Sequence, residues 1–199
     1  MEQRSDEWIQ WKVGKIGCSE LHCLFGSPTE WKNLLADKLA ERLTGKPTER
    51  FISKDMERGT ELEAEARSVY ELKTGSLVTE DGGRDCQGIE GFEGSPDGLV
   101  RENGGIEIKC PKNATHLATL MEGKVKQDYI YQMAGLVYIY NAQWWDFVSY
   151  CPEYPAGLDL VIFRYKRESL PVKEVVEKVK IFLAQLEETE KTLRSRKKR

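Results

Sequence analysis

The strongest constraint in this chain is a pair of short stretches that must lie side by side. Gly94-Ser95-Pro96-Asp97-Gly98-Leu99-Val100 is followed, after the polar turn Glu102-Asn103-Gly104, by Gly105-Ile106-Glu107-Ile108-Lys109-Cys110-Pro111. The pattern predicts two short strands joined by that turn. Side chains alternate between the faces of a strand, so Ile106 and Ile108 share one face while Glu107 and Lys109 share the other. The isoleucines require a core. That requirement holds a carboxylate and an ammonium together at one edge of the core, with Asp97 arriving from the neighbouring strand.

Two carboxylates and a lysine on adjacent strands suit metal-assisted phosphodiester hydrolysis. Mg²⁺ prefers oxygen ligands and takes one or two protein carboxylates, leaving waters and substrate phosphate to complete its shell. Mn²⁺ suits the same all-oxygen set. One metal ion, or two about 3.5–4 Å apart, activates water and neutralises the leaving oxygen. A lysine beside the metal positions the nucleophile or stabilises charge in the transition state. The spacing alone also fits a surface hairpin whose Glu/Lys pair contributes little. The added Ser-Pro-Asp-Gly and the Cys-Pro stop favour the site.

Composition sets the frame for that site. A chain of 199 residues, 40% hydrophobic and 32% charged, fits one soluble domain over 1–199 with a real core. No apolar run approaches the roughly 18 residues of a membrane span, and Met1 to Glu7 lacks a signal-peptide core. Five cysteines without C-x-x-C spacing argue against a disulfide framework or zinc, and for reduced thiols in the cytoplasm. The net charge of −3 does not advertise a nucleic-acid binder, although basic residues need only line the path of the phosphates. The visible basic excess is the tail Lys191 to Arg199, read as a solvated helix end or a salt-sensitive phosphate contact.

In chain order, Ser5-Asp6-Glu7-Trp8 starts a helix, with Trp8 and Trp11 on one face. Cys18-Ser19-Glu20-Leu21 opens a short second helix. Pro28 to Thr44 is an amphipathic helix with Trp31, Leu34, Leu35, Leu39 and Leu43 on its apolar stripe, ended by Gly45. The loop from Gly45 to Arg50 is polar. Ser53 to Thr74 forms a longer helix on which Glu63 shares the inward stripe of Gly59, Ala66 and Tyr70. A carboxylate facing inward is paired or binds metal. Leu77 to Glu80 and Ile89 to Glu93 begin the sheet, with Asp81 to Asp85 as a loop between them. Helices follow over Ala114–Met121 and Val125–Tyr140, then strands over Trp144–Tyr150 and Leu158–Tyr165, then a helix from Glu168 to about Leu193. Trp144 and Trp145 read as core rather than base-stacking platforms, and His22 and His116 as structural.

The motif Ser95-Pro96-Asp97-Gly98-Leu99 with Glu107-x-Lys109-Cys110-Pro111 resembles the PD-(D/E)XK nucleases and, more narrowly, the phage lambda exonuclease family. Further blocks carry the resemblance: Trp11-Lys12-Val13-Gly14-x-Ile16-x-x-Ser19-Glu20, the spacing of Gly59, Glu63 and Arg67, and Tyr129-x-x-Gln132. It implies an α/β fold, a restriction-endonuclease-like core with a central mixed β-sheet flanked by helices. It implies that Asp97, Glu107 and the Ile108 carbonyl hold two Mg²⁺ ions, with Glu63 assisting, directly or through water. Lys109 and Gln132 would act at the nucleophile, and Lys12, Ser19 and Ser95 would meet phosphates at the 5′ end. Lys12 stands where the family has arginine, and so lacks the planar fork that grips two oxygens.

The activity implied is 5′→3′ exonuclease digestion of double-stranded DNA ends, releasing mononucleotides and leaving a 3′ single-stranded overhang for recombination. A homotrimeric ring, a single-strand annealing protein as partner, and a bacterial host or prophage context are implied with it. A structure-specific or restriction-like endonuclease, and a non-catalytic DNA-binding module on the same fold, are the rival readings.

Overall fold

Serines open the three N-terminal helices and glycines close two of them. Ser5 Oγ accepts from the Trp8 amide ahead of α1 (Asp6–Lys12), and Ser27 forms a capping box with Glu30 ahead of α2 (Pro28–Thr44). Ser53 caps α3 (Lys54–Thr74), while Gly45 and Gly75 end α2 and α3 in the left-handed conformation. A computed structural model of the chain describes residues 2–48, 53–101 and 103–196. Glu49, Arg50, Glu102 and the tail residues Lys197 to Arg199 lie outside the described residues, so those parts of the loop, turn and tail expectations have no structural counterpart here.

Between the helices run β1 (Ile16–Gly17), a 3₁₀ helix over Cys18–Leu24, β2 (Val78–Thr79), β3 (Arg84–Asp85), β4 (Phe92–Gly94), β5 (Gly98–Val100) and β6 (Gly104–Lys109). Then follow α4 (Asn113–Glu122), α5 (Gln127–Ile139), β7 (Trp144–Tyr150), β8 (Leu160–Lys166) and α6 (Val172–Arg196). The main sheet has the order β2-β5-β6-β7-β8 and is mixed: β6 pairs parallel with β7, the rest antiparallel. The parallel pair needs a crossover, and α4 and α5 supply it. Ala66 and Tyr70 of α3 cover one face of the sheet with Ile106 and Ile108. On the other face Met133 and Leu136 of α5 and Phe182 of α6 join Trp145 and Phe147. The alternation of β6 thus has a core for its isoleucines, as the sequence required. Among the described residues no helix is long and apolar enough to cross a membrane.

Four sequence-based expectations change. The strands do not form one sheet, because β4 joins a separate three-stranded sheet of order β1-β4-β3. Gly94 to Val100 is not one strand, since Pro96 lacks an amide donor and the ladder stops at Gly94 and resumes at Gly98. Arg84 and Asp85, expected in a loop, pair with β4, whereas residues 89–91, expected in a strand, precede it. On α2, Leu43 is exposed while Lys38 and Glu41 are buried.

That last reversal has an electrostatic cause. Lys38 Nζ lies 3.0 Å from Glu20 and 3.2 Å from Glu41. The amides of Gly17 and Gly14 donate to those same carboxylates at 2.9 and 2.8 Å. A buried cation is tolerated because two acids neutralise it and backbone amides satisfy those acids. Replacing Lys38 with methionine leaves both carboxylates uncompensated. The expected loss is about 3–5 kcal/mol in urea denaturation; a loss below about 1 kcal/mol would show that the triad does not hold α2 in place.

Candidate active site

The register of β6 against its neighbours builds the site. Gly98 faces Ile106 across the antiparallel pair, and Glu107 faces Phe147 across the parallel one. Gly104 and Gly105 allow β6 this close approach, because a Cβ at either position would overlap the ring of Trp144 or Trp145. Trp145 is fully buried beneath the sheet, and Arg164 stacks 3.6 Å over Trp144, so the tryptophan pair packs as expected.

Glu107 is 1% exposed. Its Oε1 accepts hydrogen bonds from Lys109 Nζ and, at 2.7 Å, from Gln132 Nε2 on α5. Its Oε2 is buried and has no hydrogen-bond partner. Asp97, immediately before β5, accepts from the Ile108 amide at 2.6 Å, which locks it against β6. Burial raises the Asp97 carboxyl well above the ordinary range, and the neighbouring Glu107 charge raises it further. Burial likewise raises Glu107, against the lowering effect of Lys109. For Lys109 burial alone would lower the ammonium, but the charges of Glu107 and Asp97 outweigh it and the net direction is upward.

Glu63 does face inward, yet both its oxygens are engaged. Arg4 Nη2 donates to Oε2 at 2.7 Å and Arg67 Nη2 to Oε1 at 3.1 Å. Two cavities, of about 320 and 510 Å³, meet at Asp97, Glu63 and Arg4. The larger also reaches Lys109, Tyr129 and Cys110. Burial pushes the Cys110 thiol up to about 12, which leaves it an inert neighbour rather than a nucleophile. All five cysteines are free thiols, as their spacing suggested.

A second group lies towards the N-terminus. Lys12 Nζ sits 3.2 Å from Glu93 and 4.2 Å over the ring of Trp8. Trp8 Nε1 in turn donates to Gly82 O at 2.7 Å and to Ser95 Oγ at 3.3 Å. Lys12 and Ser95 are therefore joined through one indole, while Ser19 stands exposed on the 3₁₀ helix. Sequence reasoning missed Glu93, which is fully buried beside an equally buried Phe92. Strict alternation would have put one of the two in solvent; instead α5 packs against Phe92 and Lys12 of α1 covers Glu93, so both faces of β4 are closed. His116 is structural: its ring contacts Ser149 Oγ at 2.8 Å and Leu158 O at 2.7 Å.

The donor set fits a hard divalent cation. Among the described residues no three His, Cys, Asp or Glu side chains form a ready cage. Mg²⁺ does not require one, since it keeps several waters and uses one or two carboxylates. The unpartnered Glu107 Oε2 beside Asp97 meets that demand.

With this geometry in view, the YqaJ-like viral recombinase domain matches residues 7–143. The chain belongs to the YqaJ-like viral recombinase family. An alkaline exonuclease from Laribacter hongkongensis is 38% identical over 96% of this chain and 97% of its own, with a TM-score of 0.92. The structure of that enzyme in complex with dAMP matches at 38% identity and a TM-score of 0.91. A phage related exonuclease from Haemophilus somnus, 17% identical over 92% of this chain and 96% of its own at a TM-score of 0.71, shares the fold. No curated protein matches the sequence. This YqaJ-like protein therefore has the alkaline exonuclease fold and is a nuclease of the recombination class.

The raised carboxyls make a stability prediction. Unfolded, Asp97 and Glu107 titrate near about 3.9 and 4.3. Above those values, and up to the raised folded ones, the folded chain holds more protons than the unfolded chain. The contribution of this pair to stability is thus greatest below about pH 4 and falls as pH rises through that window. Lys109, shifted upward, contributes constantly below about pH 10 and does not alter the trend. In EDTA, Asp97→Asn is expected to raise Tm at pH 7, with the gain shrinking towards pH 4. A pH-independent fall in Tm would mean that the ionised Asp97 stabilises the fold.

Proposed function

We propose that this chain is a Mg²⁺-dependent 5′→3′ exonuclease that digests one strand from double-stranded DNA ends, releases mononucleotides and leaves a 3′ single-stranded overhang for recombination. The observation that carries the reading is the buried Glu107 Oε2, left without a partner while Lys109 and Gln132 hold Oε1, next to Asp97 and Lys109, which line a cavity. The Laribacter enzyme's complex with dAMP supports a mononucleotide product.

Asp97, Glu107 and the Ile108 carbonyl would hold the metal, one ion or two, with Glu63 contributing through water and Mn²⁺ able to substitute. When bound, the metal supplies a Lewis acid for the scissile phosphate and lowers the pKa of water. Gln132 fixes Glu107 by donating to Oε1, which leaves Oε2 as the free donor atom. Lys109 keeps its ammonium on Glu107 and 5.2 Å over the Tyr129 ring, where it stabilises charge developing on the phosphoryl group. Lys12, Ser19 and Ser95 receive the 5′-phosphate. Glu93 and Trp8 hold Lys12 in place for that task. A lysine supplies charge without the bidentate fork of arginine, so its selection for phosphorylated ends is the weaker kind.

Digestion of linear duplex DNA with Mg²⁺ tests the reading, comparing 5′-phosphorylated with 5′-hydroxyl ends and wild type with Lys109→Ala. Strand loss from the 5′ end, faster on phosphorylated ends and abolished by the substitution, is expected. Equal rates on both ends would remove the Lys12 pocket from the account, and cutting of a covalently closed circle would replace the exonuclease with an endonuclease.

The resemblance to the phage lambda exonuclease family also supports a ring of three copies around the duplex, with an annealing protein receiving the product strand. A ring gives a mildly acidic chain a way to line one channel with its basic residues. Native mass measurement is expected to return a trimer; monomer alone at working concentration would refute the ring.

A further inference from the structure

Arg4 breaks a backbone rule at the edge of the site. Three non-glycine residues among those described have positive φ: Arg4 at 67°, Asn103 at 62° and Asn141 at 51°. Asparagine tolerates that region through its short polar side chain, whereas arginine meets its full steric cost. Strain of this kind persists where the surroundings over-determine it, and it clusters at functional sites.

The surroundings here do so. The Ser5 amide and hydroxyl both donate to Glu2 O, at 3.4 and 2.7 Å, closing a turn with Arg4 as its third residue. Gln3 Nε2 donates to Asp81 O at 3.1 Å and to Pro96 O at 2.8 Å, directly before Asp97. These bonds anchor the segment without help from the Arg4 side chain, so an anchoring role does not explain that side chain.

Nor is Arg4 the sole partner of Glu63. Glu63 already has Arg67, and Arg4 adds a second guanidinium to one largely buried carboxylate. Glu80, which also meets Arg67, is 76% exposed and screened by water. Arg4 is half exposed and borders both cavities at Asp97, so its guanidinium can be reached from either.

We propose that Arg4 binds a backbone phosphate of the substrate strand, adjacent to the phosphate being cut. In the free protein Glu63 holds the guanidinium in waiting; on DNA the fork turns to two phosphate oxygens. This inference rests on the nuclease reading above and extends it to a residue outside the matched domain, which begins at residue 7.

Anisotropy titrations of duplex DNA in EDTA, over a range of salt concentrations, test it with wild type, Arg4→Gly and Arg4→Lys, alongside thermal melts. Glycine relieves the positive φ, so Arg4→Gly is expected to melt at or above the wild-type temperature. It should nevertheless bind about 5- to 10-fold more weakly, with a salt slope shallower by roughly 0.7–0.9, the value of one phosphate contact. Arg4→Lys should restore the slope. Wild-type affinity and slope in Arg4→Gly would overturn the assignment. So would weaker binding that comes with a lower melting temperature and is not restored by lysine, which marks damage to the fold. Wild type that neither binds nor, with Mg²⁺, digests duplex would overturn the nuclease reading and this inference with it. Wild-type digestion with unaltered Arg4→Gly binding would sink the Arg4 role alone.

Discussion

The site depends on carrying the Glu107 carboxylate into the interior of the sheet without neutralising all of it. A buried carboxylate is costly unless it is paired and hydrogen-bonded. Here one oxygen takes both Lys109 and Gln132, while the other has no partner. That asymmetry is the chemical content of the site. Full pairing would make an inert buried ion pair; no pairing would favour the protonated acid. The parallel β6/β7 pair supplies the depth, and the two glycines facing the tryptophans let the strands meet there.

A second set of buried charges supports the N-terminal half. Lys38 sits between Glu20 and Glu41, and the charges of Glu20 and Lys38 act on Glu93, which pairs with Lys12. Burial raises the Glu93 carboxyl while Lys12 draws it back, so the ion pair is tight but imperfectly satisfied. Trp8 then links Lys12 to Ser95, two residues from Asp97. The proposed 5′-phosphate pocket and the carboxylate pair are therefore parts of one connected structure.

Much of the fold was legible in the sequence because local chemistry decides it. Ser5, Ser27 and Ser53 open their helices and Gly45 and Gly75 close theirs, since caps satisfy backbone groups within a few residues. The same holds for β7 and β8, whose apolar runs are long. What escaped was decided by distant partners. Lys38 and Glu41 lie off the apolar stripe of α2 and are buried all the same, because Glu20 on a different element completes their charge cluster. Glu93 was passed over for the same reason. Gly94 to Val100 reads as one strand until Pro96 is asked for the donor it lacks.

The sequence by itself determined that Glu107 and Lys109 share a face, that Ile106 and Ile108 share the other, and that Asp97 arrives on the adjoining strand. Those relations follow from the two-residue period of a strand and a short turn, and need nothing from elsewhere in the chain. Only the tertiary structure decided which oxygen of Glu107 stays free, that Gln132 from a crossover helix takes the other, and that Glu63 meets Arg4 across 59 residues. Hydrogen bonds between elements far apart in sequence depend on how helices pack against the sheet, and no local period encodes that packing.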